Sequence, residues 1–338
     1  MQASVAIVIL NWNGKKLLQQ YLPSVVKYSL GCDVIVADNG SDDDSVEYVQ
    51  TNFPMVRIIK LDKNYGFTGG YNRALKQVDA QYYVLLNDDV EVTKGWVNPV
   101  IKMMQQDTQI AVCQPKLMSY VNKNKFEYAG AAGGYIDYLG YPFCAGRIFE
   151  QTEDDNGQYD KPREIFWASG AAMFVRSDLF HALGGLDEDF FAHMEEIDFC
   201  WRAKNAGYKI MYCPDSTVYH YGGGTLNKIS PRKTFLNFRN SLLLLYKNLP
   251  ASKLQNVLNK RKYLDKLAAF VFYIKGSKEE YKAVIDATKE FYAIKDKFKD
   301  RRNPLVDSYP NQVYGKSIVF ASKILRKNKF SQIEKSIK

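Results

Sequence analysis

The chain has 338 residues, 46% hydrophobic and 25% charged, which accommodates one large α/β domain with an appendage and excludes whole-chain disorder. Its net charge of +9 hides a division: residues 226–338 hold 26 Lys and Arg against 9 Asp and Glu, and residues 1–225 hold 20 against 28. An acidic body with a basic tail speaks against a uniformly basic nucleic-acid binder and gives the two parts different partners.

Residues 5–10, 33–37, 56–61, 82–86 and 110–113 are short apolar or β-branched runs, and residues 15–28 and 45–53 between them have helical spacing. This alternation predicts an α/β fold with a mostly parallel central sheet and helices on both faces. No signal-peptide pattern precedes the first run. Residues 116–165 predict an irregular, hairpin-rich insert. Residues 166–176 read as a buried strand, 177–183 as a short helix, 195–205 as a helix ending at Gly207, and 209–213 and 217–220 as two short strands. Gly222-Gly223-Gly224 marks a boundary between residues 1–225 and 226–338, and from Pro231 the pattern is helical and basic. The longest apolar runs, 242–246 and 267–274, are too short to cross a bilayer. Five scattered cysteines (Cys32, Cys113, Cys144, Cys200, Cys213) without a CxxC pair read as free thiols. The expectation is a cytoplasmic protein.

Ligands on such sheets bind beyond the carboxyl ends of the strands. Four successive strand ends carry Asn, Asp and Gly: Asn11-Trp12-Asn13-Gly14, Asp38-Asn39-Gly40-Ser41-Asp42, Asn64 through Asn72, and Asn87-Asp88-Asp89. Any one of these loops is explained by turn chemistry; four on one edge predict a site for something polar. Asp88 and Asp89 suit a hard divalent cation with oxygen ligands; an acidic turn capping the next helix is the other reading of the pair. Residues 38–45 fail the calcium-loop spacing, and residues 66–70 match neither GxGxxG nor a P-loop. In the segment from His193 to Arg202, Glu195 and Glu196 fall in the first turn of a helix, where the dipole favours the ionised carboxylate that a general base needs. Acidic residues also occur there for stability alone. His220 ends a strand at the same sheet mouth, which makes it either a metal ligand or a structural histidine.

Taken together, Val36-Ala37-Asp38-Asn39-Gly40-Ser41, the segment Asn64 to Asn72, Leu86-Asn87-Asp88-Asp89, Ser169-Gly170-Ala171, Glu195-Glu196-Ile197-Asp198 and His220 resemble a family 2 glycosyltransferase of GT-A fold, in its rhamnosyltransferase-like branch. The likeness covers residues 3–225 and a short stretch at Asn237-Phe238-Arg239-Asn240. It implies a catalytic domain over 1–225, with a nucleotide-sugar half near 1–115 and an acceptor half near 116–225. It further implies that Asp38 bonds the donor's base, that Asn11 and the segment holding Asn64, Gly66 and Asn72 wrap the nucleotide, and that Asn87-Asp88-Asp89 stands for the DxD motif. Asp88 would lie near the donor ribose or sugar. Asp89 and His220 would hold Mn²⁺ or Mg²⁺. Trp167, Gly170 and Ala171 would line the acceptor or donor-sugar pocket. Glu196, or its neighbour Glu195, would be the catalytic base, where the family usually has Asp. The implied reaction is inverting transfer of a sugar, L-rhamnose in this branch, from a dTDP- or UDP-sugar to a saccharide acceptor. A lipid-linked saccharide in cell-surface polysaccharide synthesis is the acceptor expected.

The tail combines apolar and basic residues over 234–249 and again at 260–264 and 270–273. Basic amphipathic helices suit an anionic membrane surface, giving an enzyme peripheral to the inner face of the membrane; helices packed on the body with a basic solvent face satisfy the same pattern. Two other functions compete. The departures at Asn87 and Glu196 would suit a nucleotide-sugar-binding protein without turnover, and the basic tail a nucleic-acid binder, although no nucleic-acid motif is present and no such partner is expected.

Overall fold

Strand β1 (Val5–Asn11) sorts its side chains by period two: Ala6 and Val8 enter one hydrophobic cluster, Val5, Ile7 and Ile9 another. Strand β4 (Tyr82–Asn87) does the same, with Tyr83 and Leu85 on the first side and Tyr82, Val84 and Leu86 on the second. A sheet that is apolar on both faces must be covered on both. Helices α1 (Lys15–Tyr28), α2 (Ser45–Asn52) and α4 (Val97–Gln106) cover the second face through Leu18, Leu22, Val49 and Val100. Helices α3 (Gly66–Leu75), α5 (Ser177–Ala182) and α6 (Glu195–Asn205) cover the first through Tyr71, Leu75, Phe180, Phe199 and Trp201. Each such fully buried aliphatic or aromatic side chain contributes about 1.5–3 kcal/mol.

The computed structural model describes residues 4–222, 230–302 and 306–337; Gly223 and Gly224 of the expected boundary lie outside them. The remaining strands of the main sheet are β2 (Asp33–Asp38), β3 (Arg57–Lys60), β5 (Val90–Val92), β6 (Ile110–Ser119), β11 (Arg163–Ile165), β12 (Ala172–Arg176) and β13 (Lys209–His220). A second sheet holds β7 (Gly134–Asp137), β8 (Pro142–Cys144), β9 (Arg147–Ile148), β10 (Gln151–Thr152) and β14 (Val313–Tyr314). Main-sheet order is β11-β13-β6-β12-β4-β1-β2-β3, with β5 on β13. Among the described residues six of its nine strands run one way, and β5, β11 and β12 oppose them. In-register pairing of β1 with β2 and β4 sets Asn11 beside Asp38 and Leu10 beside Asn87, so the polar strand ends share one edge.

Three sequence expectations change. Residues 209–220 form one strand with an irregularity between Cys213 and Thr217, because β6 pairs along both parts. Of residues 166–176 only Ala172–Arg176 is strand; before it, Phe166 N and Trp167 N bond Gly134 O, and Ser169 N bonds the Gln114 side chain. The segment 66–70 is the opening of helix α3, not a loop. Its glycines let the helix close on the sheet: a Cβ on Gly70 would lie 2.8 Å from Leu10 Cδ1.

Helices α7 (Pro231–Asn248), α8 (Ala251–Ile274) and α9 (Lys278–Ile294) follow, but the end of the chain is not helical throughout. β14 adds a parallel strand to β7, α10 (Ile318–Lys323) donates Ile318 N to Asp137 Oδ2, and Phe330 packs on Tyr135, Phe143 and Tyr159 of the insert. Helix α7 is buried from Arg239 to Asn248, so the expected membrane face over 234–249 is core instead. No helix among the described residues is long and apolar enough to cross a membrane. All five cysteines are free, four of them buried and Cys32 half-buried.

Candidate active site

Asn11, at the tip of β1, donates its amide to Asp38 Oδ1 (3.0 Å), Ser41 Oγ (3.1 Å) and Ser45 Oγ (2.9 Å). It ties the first two strand ends together. Asp38 Oδ2 accepts from Ser41 N at 3.3 Å, and the carboxylate is buried. Asn39, given no role by the sequence reading beyond its place in the motif, closes the next loop. Its amide donates to Asn64 Oδ1 and Gly66 O, and its Oδ1 accepts from Tyr65 N. Asn64 Oδ1 in turn accepts from Gly66 N at 2.8 Å, at the N-terminus of α3. Asn72 faces away from this edge: Nδ2 donates to Leu186 O and Oδ1 accepts from Leu186 N, holding α3 to the 184–188 turn. Gly14 sits where a Cβ would come within 2.6 Å of both Asn11 Oδ1 and Asp88 Oδ2, so only glycine lets the first and fourth strand ends approach.

At the fourth end Asp88 and Asp89 are both buried. Burial, then the charge of Asp89, pushes the Asp88 carboxyl up to about 7. His220, from the end of β13, brings Nε2 within 3.0 Å of Asp89 Oδ1 and turns Nδ1 toward Glu127 Oε1 at 3.4 Å. Burial favours the neutral ring, but Glu127 and Asp89 outweigh it and hold the imidazole well above its usual value. The pocket selects positive charge. Asn87 Nδ2 lies 3.4 Å from His220 Nε2, so Asn87 faces the histidine with a neutral amide. Glu127 is a residue that sequence reasoning missed, because it lies in the insert, where no periodicity marks it.

The site residues fit a divalent ion. A carboxylate and an imidazole converge at 3.0 Å, and Glu127 behind the ring orients Nε2 toward Asp89. Among the described residues no group of three or more His, Cys, Asp or Glu is placed to hold a metal ion. Asp89 and His220 would be two ligands of an ion that takes its remaining ligands from substrate phosphates and water.

Glu195 and Glu196 open α6 after a strained turn: Phe191, His193 and Met194 have φ of 64°, 70° and 72°, a conformation that costs non-glycine residues about 1–3 kcal/mol each. Glu195 is buried, and burial followed by the charge of Glu196 pushes its carboxyl well above the ordinary range. Glu196 is half-buried, and burial pushes its carboxyl up to about 7. Its Cβ lies 4.0 Å from where a Cβ on Gly170 would stand. The next residue, Ala171, accepts from Asn87 N at 3.0 Å. Gly170 and Ala171 thus lie between Cβ of Glu196 and the end of β4. Trp167 does not reach this edge: it is buried, stacked on Gly134, with Nε1 donating to Tyr135 O.

The family profile described as "Glycosyl transferase family 2" matches residues 4–183. The chain belongs to that family. Relatives of this family 2 chain include a Mycobacterium tuberculosis (strain CDC 1551 / Oshkosh) protein named N-acetylglucosaminyl-diphospho-decaprenol L-rhamnosyltransferase. It is 25% identical over 206 residues, covering 56% of this chain and 66% of the relative. The match to it therefore spans just under two thirds of that relative's length. The Shigella flexneri dTDP-rhamnosyl transferase RfbF is 21% identical, covering 73% and 82%. Among solved structures, residues 1–349 of S. aureus TarS in complex with UDP-GlcNAc superpose with a TM-score of 0.57 at 16% identity, covering 88% of this chain and 84% of that one. The Pyrobaculum calidifontis mannosyltransferase PcManGT, solved with GDP-Man and Mn²⁺, gives 0.53 at 12%, covering 87% and 76%. The fold of this family 2 chain is GT-A.

Proposed function

We propose that this protein is an inverting glycosyltransferase that moves a sugar from a dTDP- or UDP-sugar to a saccharide acceptor with the help of Mn²⁺ or Mg²⁺. The observation that supports the reading is that Ala171 O accepts from Asn87 N, next to Asp88 and Asp89, while its neighbour Gly170 faces Glu196 Cβ, so the Asp89–His220 pair and the head of α6 flank the same short segment. Asp89 and His220 would hold the ion, and an Asp–His pair suits Mn²⁺ better than Mg²⁺, which prefers oxygen. The ion, when bound, supplies positive charge to the departing diphosphate. Glu196 takes the proton of the acceptor hydroxyl. The hydroxyl oxygen bonds to the anomeric carbon as the bond from that carbon to the phosphate oxygen breaks on the opposite face, and the nucleoside diphosphate leaves. Glu196 rather than Glu195 is assigned this role, since Glu195 is enclosed.

Two relatives are named for rhamnosyl transfer, one with a diphospho-decaprenol acceptor; this supports L-rhamnose as the sugar and a lipid-linked saccharide as the acceptor. A membrane surface suits α8. Tyr263, Leu267, Phe270, Val271 and Ile274 recur at helical spacing and are 36–74% exposed. Arg261 and Asp265 pair in the interior, so the exposed charges of α8 are all lysines: Lys253, Lys260, Lys262 and Lys266. An apolar stripe flanked by cations fits an anionic bilayer. Flotation with phosphatidylglycerol-containing vesicles, but not with phosphatidylcholine alone, is expected, and a Leu267→Glu/Phe270→Glu variant should stay unbound. Dimerisation in solution without vesicle capture would assign the stripe to a second copy instead.

The transfer reading is tested with a panel of nucleotide-sugars and Mn²⁺ or Mg²⁺, detecting free UDP or dTDP. Metal-dependent release that Asp89→Ala abolishes is the expected result. Tight nucleotide binding with no release, even when a lipid-linked saccharide is supplied, would favour a binding protein without turnover.

A further inference from the structure

We infer that Asn240 and Arg239 of α7 are positioning residues, which hold the strained turn that delivers Glu196; the inference rests on Glu196 acting as the base. Asn240 is fully buried. Its Nδ2 donates to Phe190 O (2.9 Å), Ala192 O (2.9 Å) and His193 O (2.8 Å). Its Oδ1 accepts from Arg239 Nε at 2.9 Å, and Arg239 Nη2 donates to Asp189 O (3.0 Å) and Phe190 O (3.3 Å). Arg239 Nη1 is anchored on Glu290 of α9 at 2.8 Å. Four of the five carbonyls from residue 189 to residue 193 are therefore held from α7. The fifth, Phe191 O, accepts from Phe67 N and Thr68 N at the start of α3.

Left-handed backbone at Phe191, His193 and Met194 relaxes unless its surroundings over-determine it. Here the surroundings are α7 on one side and α3 on the other. Releasing the carbonyls lets the turn relax, and the side chain that moves with it is two residues on, at the head of α6. The strain is thus placed where a carboxylate must be held at fixed distance from an acceptor hydroxyl. This gives a role to the Asn237-Phe238-Arg239-Asn240 stretch that a packing account of α7 alone does not.

The test compares Asn240→Ala and the milder Arg239→Lys with wild type and with Glu196→Gln. Misplacement of a catalytic group by about 1 Å costs on the order of 10²-fold. Asn240→Ala should lower kcat by about that factor with donor KM and the affinity for the nucleoside diphosphate with Mn²⁺ unchanged. Arg239→Lys, which keeps the charge, should lose less and keeps the test valid if Asn240→Ala does not fold. Hydrogen exchange gives a readout independent of turnover: amides of residues 192–196 should exchange faster in Asn240→Ala, while α6 beyond Ile197 stays protected. Unchanged exchange and kcat in a folded variant would overturn the inference, as would parallel losses of kcat and nucleotide affinity. If Glu196→Gln kept full turnover, the base assignment itself would fall. If it lost turnover while the α7 variants stayed at wild-type level, only the clamp would fall.

Discussion

The two sides of the site are built by different means. On the side proposed for the nucleotide, polar groups stand at or just past the strand ends and are held by the loop next door: Asn11 by Asp38, Ser41 and Ser45, and Asn39 by Asn64 and Gly66. On the acceptor side Glu196 follows a turn that local preference opposes, and the groups that hold it come from a helix 47–50 residues further along the chain. Parallel-sheet geometry fixes one half, and a remote clamp fixes the other. Substitutions on the first side should act on donor binding, and those on the second on turnover.

The largest effect should come from Glu196→Gln, which keeps the shape and removes the proton acceptor. A general base contributes about 10²–10⁴-fold, so kcat should fall by that factor with nucleotide affinity unchanged. Because burial raises the Glu196 carboxyl to about 7, its ionised, active form is gained as pH rises. Wild-type kcat/KM should therefore climb through about pH 7 and level above it, and residual activity of Glu196→Gln should lack that limb. Next comes Lys247→Met. Lys247 is buried against Asp187 (2.5 Å) and Asp198 (2.8 Å), and its loss leaves Asp198 only Arg202 and Asn248. Urea unfolding at pH 7 should show about 3 kcal/mol lost, the lower end for breaking a buried pair. Burial raises the Asp198 carboxyl, but Lys247 and Arg202 outweigh it and hold it at about 2. That stabilisation is present above the unfolded value of 3.8 and is lost as pH falls toward 2, so the variant should show a flatter acid limb. Gly14→Ala should act on the other side. Its Cβ meets Asn11 and Asp88 at 2.6 Å, and overpacking of about 1–3 kcal/mol should appear as weaker nucleotide binding at unchanged kcat. A kcat loss of equal size would break the comparison.

This division also explains what the sequence revealed. The strand ends were readable because short continuous apolar runs stop at Asn11, Asp38 and Asn87, and the chain turns there. Helix α6 was readable from the spacing of Ile197, Cys200 and Trp201. Glu127 was not, since it precedes short hairpins of two to four residues that leave no pattern. Helix α7 left two readings open, a membrane face or packing on the body, and its burial decides for packing. Arg239 and Lys247 look like part of a basic exposed face, yet both are buried and paired with Glu290 and with Asp187 and Asp198. Only tertiary partners separated by tens of residues reveal that. The tail's strand, β14, is two residues long and exists because β7 offers an edge. Trp167, which the resemblance placed in the sugar pocket, is instead buried with Nε1 on Tyr135 O, because Gly134 admits its ring to the core.

The smallest predicted effect probes where the two sides meet. Glu188, in the turn before Phe191, bonds Arg73 of α3 at 2.9 Å, and the two side chains are 48% and 35% exposed. Arg73 also lies over the Tyr65 ring at 3.8 Å, and Asn72 Nδ2 reaches Glu188 at 3.3 Å. An ion pair this exposed is worth about 0–1 kcal/mol and is screened by salt. Glu188→Gln retains the amide-compatible shape and should change unfolding free energy by less than about 1 kcal/mol, with the difference shrinking in 1 M NaCl. Kinetics should not move, because the clamp on residues 189–193 comes from α7 and the amides of Phe67 and Thr68, neither of which uses this carboxylate. A kcat drop in Glu188→Gln that high salt reproduces in wild type would mean that the α3 contact shares the work of holding the turn. Nucleotide side and catalytic turn would then be one mechanical unit.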